Sequence, residues 1–214
     1  MQANNSPLPI LRDRARRNHQ SRIPATARTG VATRPIALRR GFKAEANSTA
    51  EEVRGELGLS FLDPLDPLHL AAHLDIPVIG LSELTEAAQG VEYFTQVEPS
   101  AFSATTVFRG RRRLIVHNDG HAPGRCNSNV THELANVLLL HPPTPALDDR
   151  GCRHWNQNVE DEATGLAGAL LVPERAALSV ARGRRTLEEA AEDFGVSAQM
   201  MRWRACSCHL RGGS

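Results

Sequence analysis

The chain has 214 residues, 41% of them apolar and only 4% aromatic, and its 25 basic and 24 acidic side chains nearly cancel. That length allows one medium domain with a small appendage, and no apolar run approaches the ~18–20 residues that a membrane helix needs. Cys126, Cys152, Cys206 and Cys208 are too irregularly spaced for a disulfide framework, and the first residues lack the apolar stretch of a secretory signal, so a cytoplasmic protein is predicted.

Net charge conceals an asymmetry. Residues 1–40 carry nine arginines against one aspartate, a net +8, while the rest of the chain is net −7. This first stretch has almost no hydrophobic periodicity and is rich in Arg, Pro, Thr, Asn and Ser, which predicts a disordered basic arm. Order is predicted from Gly41 onward. Ser48 or Thr49 with Glu51 and Glu52 marks a helix start, and that helix is expected to end near Gly58. Asp66-Pro67 opens a second helix through Leu70, Ala71 and Leu74, and residues 76–81 read as a short apolar strand. Residues 100–108 and 113–118 read as two strands joined by a turn at Arg109-Gly110. A helix over residues 128–140 follows, closed by Pro142-Pro143. Beyond a polar loop, helices are predicted over residues 159–172, 174–182, 186–194 and 197–204. Three or four strands before the long helix and helices after it make an α+β order.

The chemistry of the chain is concentrated in the helix at 128–140, which contains His132-Glu133-Leu134-Ala135-Asn136. In the H-E-x-x-H form of this pattern, positions i and i+4 share one helix face, so two imidazoles can hold one Zn²⁺. The glutamate between them can then deprotonate a metal-bound water. Here the second imidazole is replaced by the carboxamide of Asn136, a neutral and poor zinc donor. On the following helix, Ala163, Leu166, Ala167 and Leu170 form the apolar stripe. Glu160 and Glu162 fall on its two margins and Asp161 is expected to face solvent.

The run Glu160-Asp161-Glu162-Ala163-Thr164-Gly165-Leu166-Ala167-Gly168-Ala169-Leu170-Leu171-Val172-Pro173 resembles the second-helix pattern E-x-x-A-N-x-F-A-x-x-L-L-x-P of the ImmA/IrrE metallo-endopeptidases, with Thr164 and Leu166 departing from it. Phe102-Ser103-Ala104 and Leu114-Ile115-Val116-His117-Asn118 are similar to the strands that lead into the family's HExxH helix. The resemblance spans roughly residues 41–204. It implies a zincin-like, gluzincin-type domain with a small N-terminal β-sheet, an HExxH helix and a helical C-terminal part. It also implies a Zn²⁺ cofactor, with His132 as one ligand, Glu160 as the ligand from the second helix and Glu133 as general base. Glu162 is the runner-up to Glu160, because periodicity does not separate them. Asn136 stands where the remaining ligand belongs. The implied role is cleavage of a cytosolic helix-turn-helix repressor, which derepresses genes. The alternative is a catalytically inactive relative that binds the repressor, or otherwise regulates transcription, without cutting.

Other histidines are candidate replacements for the missing imidazole. His141, nine residues after His132, is expected on the opposite helix face and makes a poor substitute. His154 lies in the polar loop, and His117 and His121, near the strand end and the following turn, read either as cleft-lining groups that contact a substrate or an oxyanion or as exposed turn histidines. Cys206-Ser207-Cys208-His209 has no partner pair at zinc-finger spacing and reads as an irregular tail. Residues 186–204 resemble a helix-turn-helix with Ala190, Phe194, Val196 and Met200 or Met201 as its core and Gly195 as its turn. Only Arg202 and Arg204 would serve its second helix, so packing or substrate docking is expected rather than direct DNA binding. The predicted organisation is a basic arm (1–40), a zincin-like domain (41–182) and a helical extension (183–214).

Overall fold

The computed structural model describes residues 38–86, 90–109, 112–141 and 156–209. Helix α1 (Phe42–Glu56) starts earlier than its Ser-Thr-Glu signal, because Phe42 and Ala46 extend the buried stripe that continues through Ala50 and Val53. Helix α2 (Pro67–His73) begins as its sequence dictates. The Asp66 carboxylate accepts the Leu68 amide at 2.9 Å, and Pro67 occupies the first turn, where its missing N–H costs nothing.

Three strands follow: β1 (Val78–Gly80), β2 (Ala104–Arg109) and β3 (Arg112–His117). Their order is β1-β3-β2, with β3 parallel to β1 and antiparallel to β2. Strand β1 is shorter than the expected 76–81, because Leu81 already enters a 3₁₀ turn (Leu81–Leu84). Between β1 and β2 the sequence reading missed a π-helical turn (Tyr93–Val97) and a 3₁₀ turn (Pro99–Ala101). Buried Asn118 organises that connection. Its Nδ2 donates to the carbonyls of Phe94, Pro99 and Phe102, and its Oδ1 accepts the Gly120 amide. The sheet alternates as a pleat requires. Ile115 joins the main core with the helices, whereas Val116 packs with Leu81 and Val91 in a small cluster on the other face.

Helix α3 (Pro123–Leu138) carries the HExxH-like segment, and Pro123 sets its start ahead of residue 128. Helices α4 (Gln157–Leu171), α5 (Glu174–Ala181), α6 (Leu187–Asp193) and α7 (Ala198–His209) complete the α+β, zincin-like architecture. Thr186 and Glu189 form the capping box of α6. Helix α7 runs through the residues read as an irregular tail. Cys208 continues its buried positions, which explains why 206–209 are helical.

Helix α4 is the hub and packs against α1, α3 and α7. Its second half is buried nearly all round, from Ala163 to Leu171 apart from Thr164. Glycine makes the closest of these approaches possible, since a Cβ on Gly168 would overlap the Trp203 ring. The C-terminal carbonyls, which a helix leaves unpaired, are taken by two buried arginines. Arg54 donates to Leu170 O at 2.8 Å and to the carbonyls of Ser60 and Asp63. Arg204 donates to Val172 O at 3.0 Å and to Asn47 Oδ1 at 3.1 Å. Burial pushes both guanidinium pKa values down from their usual range.

The predicted helix-turn-helix core is found. Ala190, Phe194, Val196 and Met201 are buried. Its turn seats on the start of α3, where Asn127 Nδ2 donates to Gly195 O at 2.9 Å. A Cβ on Gly124 would press on the Val196–Ser197 backbone.

Candidate functional site

Helix α3 buries Val130, Thr131, Leu134 and Ala135, which turns His132 and Asn136 together toward α4 and the sheet side. His132 lies between two residues one turn apart on α4. Its Nε2 is 3.1 Å from Glu160 Oε2, and its Nδ1 is 3.5 Å from Thr164 Oγ1. The His132 and Glu160 side chains are 25% and 29% exposed, open enough to meet a ligand. Glu133 points to the sheet, where its Oε2 accepts the Thr106 hydroxyl of β2 at 2.6 Å. Strand β2 is an edge of the three-stranded sheet, so its outer row of backbone groups lies beside Glu133.

Asn136 is engaged elsewhere. Its Oδ1 is 2.8 Å from His141 Nδ1, and His141 Nε2 is 3.5 Å from Glu162 Oε2. The expectation that His141 lies on the opposite face is therefore overturned. The helical rotation behind it stops at Leu138. Leu140 takes a left-handed conformation (φ 54°), and the His141 amide folds back onto Asn136 O at 3.0 Å. Glu162 also accepts from Arg39 Nε at 2.7 Å, and Arg39 reaches Glu45 with its other nitrogen. The two glutamates that periodicity left equivalent thus part company: Glu160 sits against His132 and Glu162 against His141. Asp161, expected in solvent, is buried at 4% exposure and accepts from Gln157 Nε2 one turn back.

A family model for the IrrE N-terminal-like domain (peptidase family M78) matches residues 71–205. The chain belongs to this family. The match ends at the point in α7 where the resemblance to the family pattern stops, and it covers the sheet, α3, α4 and the helix-turn-helix pair. Among curated proteins, none matches the chain.

For an IrrE N-terminal-like domain the implied metal is zinc, and the donor set decides whether it fits. Two ligands on a Zn²⁺ tetrahedron at ~2.0–2.1 Å lie about 3.3 Å apart, close to the 3.1 Å between His132 Nε2 and Glu160 Oε2. Thr164 is also where a partner for the other imidazole nitrogen belongs. A catalytic zinc needs three protein ligands, however, and the third position holds a neutral carboxamide tied to His141. Among the described residues no group of three His, Cys, Asp or Glu is placed to hold a metal ion. The donors among the described residues do not fit a three-ligand zinc centre. His154, a candidate substitute, lies outside the described residues.

His121 does not open onto the site. Its Nε2 lies 2.8 Å from Pro99 O and its Nδ1 lies 3.2 Å from Asn129. His117, on the helix-facing side of β3, has a buried Nδ1 that meets no hydrogen-bond partner among the described residues. Burial pushes its pKa below the usual value, against the pull of Asp119 and Glu83. Thr106, Thr164 and His141 are the site neighbours that the sequence reading missed or misplaced. Thr164 was visible as a departure from the family pattern, while Thr106 and His141 carry no local signal.

Proposed function

We propose that this IrrE N-terminal-like domain binds a protein partner, a cytosolic helix-turn-helix repressor, in the cleft between β2 and α3, and regulates transcription by holding the partner rather than cutting it. The observation that carries this reading is the 2.8 Å contact between Asn136 Oδ1 and His141 Nδ1, in the position where a zinc peptidase of this kind needs an imidazole. The outer edge of β2, which pairs with no further strand among the described residues, supports it, because an extended segment can add there with main-chain hydrogen bonds. A protein partner is favoured over DNA because α6, the helix that would cross the phosphate backbone, exposes Glu188, Glu192 and Asp193. No helix among the described residues is long and apolar enough to cross a membrane, which agrees with a cytoplasmic site of action.

A second reading is a working zinc endopeptidase whose third ligand is supplied by a residue such as His154. It is favoured by the His132–Glu160 separation, which suits two ligands of one ion. One experiment decides between them. Zinc stoichiometry by elemental analysis is measured on the wild type, Asn136→His and the Asn136→His, Glu133→Gln double variant, and each is assayed for cleavage of a repressor recovered by pull-down from the same genome. The wild type is expected to hold well under one zinc per chain and to retain the repressor intact. Asn136→His is expected to take up zinc, with any cleavage requiring Glu133 as proton carrier. Stoichiometric zinc and cleavage in the wild type would overturn the binding-only reading. No gain of zinc in Asn136→His would show that His132 and Glu160 are not arranged for a metal.

A further inference from the structure

The misfit between donor set and zinc has a structural counterpart at the end of α3. A bound ion with ligands from two helices is a cross-link, and its loss removes a tie between α3 and α4. In this chain another tie joins the same helices. From Asn136 Oδ1 the contacts run to His141 (2.8 Å), to Glu162 on α4 (3.5 Å), to Arg39 (2.7 Å) and on to Glu45 of α1 (2.7 Å). The chain begins at the residue that replaced the ligand. It reaches α4 through Glu162, two residues beyond Glu160, so it does not compete with the His132–Glu160 pair. Its central member is well sheltered, His141 and Glu162 being 12% and 18% exposed. The Asn136–His141 contact is a sheltered hydrogen bond, and the 3.5 Å His141–Glu162 contact is an ion pair when the imidazole is protonated; sheltered polar contacts hold better than exposed ones. The left-handed turn at Leu140 (φ 54°) is the backbone cost of bringing His141 into that position, and a non-glycine residue accepts it only where surrounding contacts hold it.

We infer that the His141-centred relay Asn136–His141–Glu162–Arg39–Glu45 takes over the cross-linking task of the metal, so that the packing of α3 on α4 is metal-independent in this chain. Asn136 is then a working part of a brace rather than a vacant ligand position. The carboxamide suits this task because its oxygen accepts the imidazole N–H without carrying a charge into the helix interface. The relay also fastens residues 39–45, and with them the start of α1, to the site end of α4.

Thermal melting of the full chain tests this, followed by circular dichroism in EDTA, without additive, and with one equivalent of Zn²⁺. The wild-type midpoint is expected to move by no more than about 1 °C among the three conditions. His141→Ala and Asn136→Ala are each expected to lower it by about 3–6 °C, using the ~2–4 °C per kcal/mol of a domain this size. The double variant should fall no further than the worse single, because both changes cut the same link. An EDTA-sensitive or zinc-stabilised wild type would overturn the inference, and so would losses that simply add. Should His141→Ala fail to fold, the same cycle is run with Glu162→Gln and Asn136→Ala, and additivity there is equally fatal. The inference stands apart from the partner-binding reading. Cleavage of the repressor would refute that reading and leave the brace intact, whereas a metal-dependent melt would refute the brace whatever the partner does.

Discussion

At its C-terminal end α4 hands its last carbonyls to Arg54 and Arg204, both nearly inaccessible, while its N-terminal turns carry Glu160, Glu162 and Thr164 beside the partly exposed His132 and the more sheltered His141. One end satisfies a fixed set of backbone acceptors with guanidinium forks and leaves nothing for a ligand. The other keeps two carboxylates and a threonine hydroxyl against imidazoles at distances of 3.1 to 3.5 Å, contacts that can be exchanged for new ones. The same helix thus supplies rigidity and reactivity from opposite ends. A site is held to useful accuracy only when the element beneath it is anchored elsewhere.

Breaking the anchored end is expected to have the largest effect. Arg54→Met removes a buried charge that serves three carbonyls, and orphaned acceptors are expensive, so a loss of about 3 kcal/mol or more is expected in urea denaturation. Arg204→Met, which frees one carbonyl and one amide oxygen, should lose about 2 kcal/mol in the same measurement. If either variant melts like the wild type, the anchored end is not what fixes α4.

Gly168→Ala examines the same end by volume. The added methyl meets the Trp203 ring, and overpacking of this kind costs about 1–3 kcal/mol, seen as a lower denaturation midpoint with unchanged slope. At the site end the matching change is smaller. Thr164→Val keeps the shape of the side chain and removes one long contact to His132, so its effect on stability should stay below about 1 kcal/mol. A cost as large as that at Arg54 would erase the contrast between the two ends.

The smallest effect expected is a pH dependence from His117. Burial holds its folded-state pKa below 6.5, so as pH falls past that value the unfolded chain takes up a proton that the folded chain refuses. Its contribution to stability is therefore complete above about pH 6.5 and declines below it, ahead of the carboxylates Asp63 and Glu189, which hydrogen bonds hold below their ordinary range. Melting midpoints at pH 7.5 and 5.5 should differ less in His117→Gln than in the wild type.

The contrast was half legible in the sequence. Asp66-Pro67, the Thr186–Glu189 box and the stripe Ala163, Leu166, Ala167, Leu170 act through near neighbours, and these signals gave the right elements. His132, Glu133 and Glu160 were read from a pattern whose spacing is itself a statement about helix faces. What escaped depends on where a helix stops. The wheel that put His141 on the far side assumed three more residues of rotation than α3 has, and the left-handed Leu140 reverses the direction. Asp161 escaped for a related reason, because the wheel places it away from the apolar stripe and carries no information on the neighbours that cover that side. The two anchoring arginines have no local signature, since their partners lie 116 and 32 residues away in the chain.

The choice of partner for each arginine also sets how the molecule answers to ionic strength. Arg54 and Arg204 grip neutral oxygens inside the protein, where mobile ions do not enter, whereas Arg39 is 52% exposed and pairs directly with the carboxylates of Glu45 and Glu162 at the surface. At 1 M salt the Debye length shrinks to about 3 Å. Concentrated electrolyte thus acts on this fold from one side only, loosening residues 39–45 from the mouth of the cleft while the far end of α4 stays as it was.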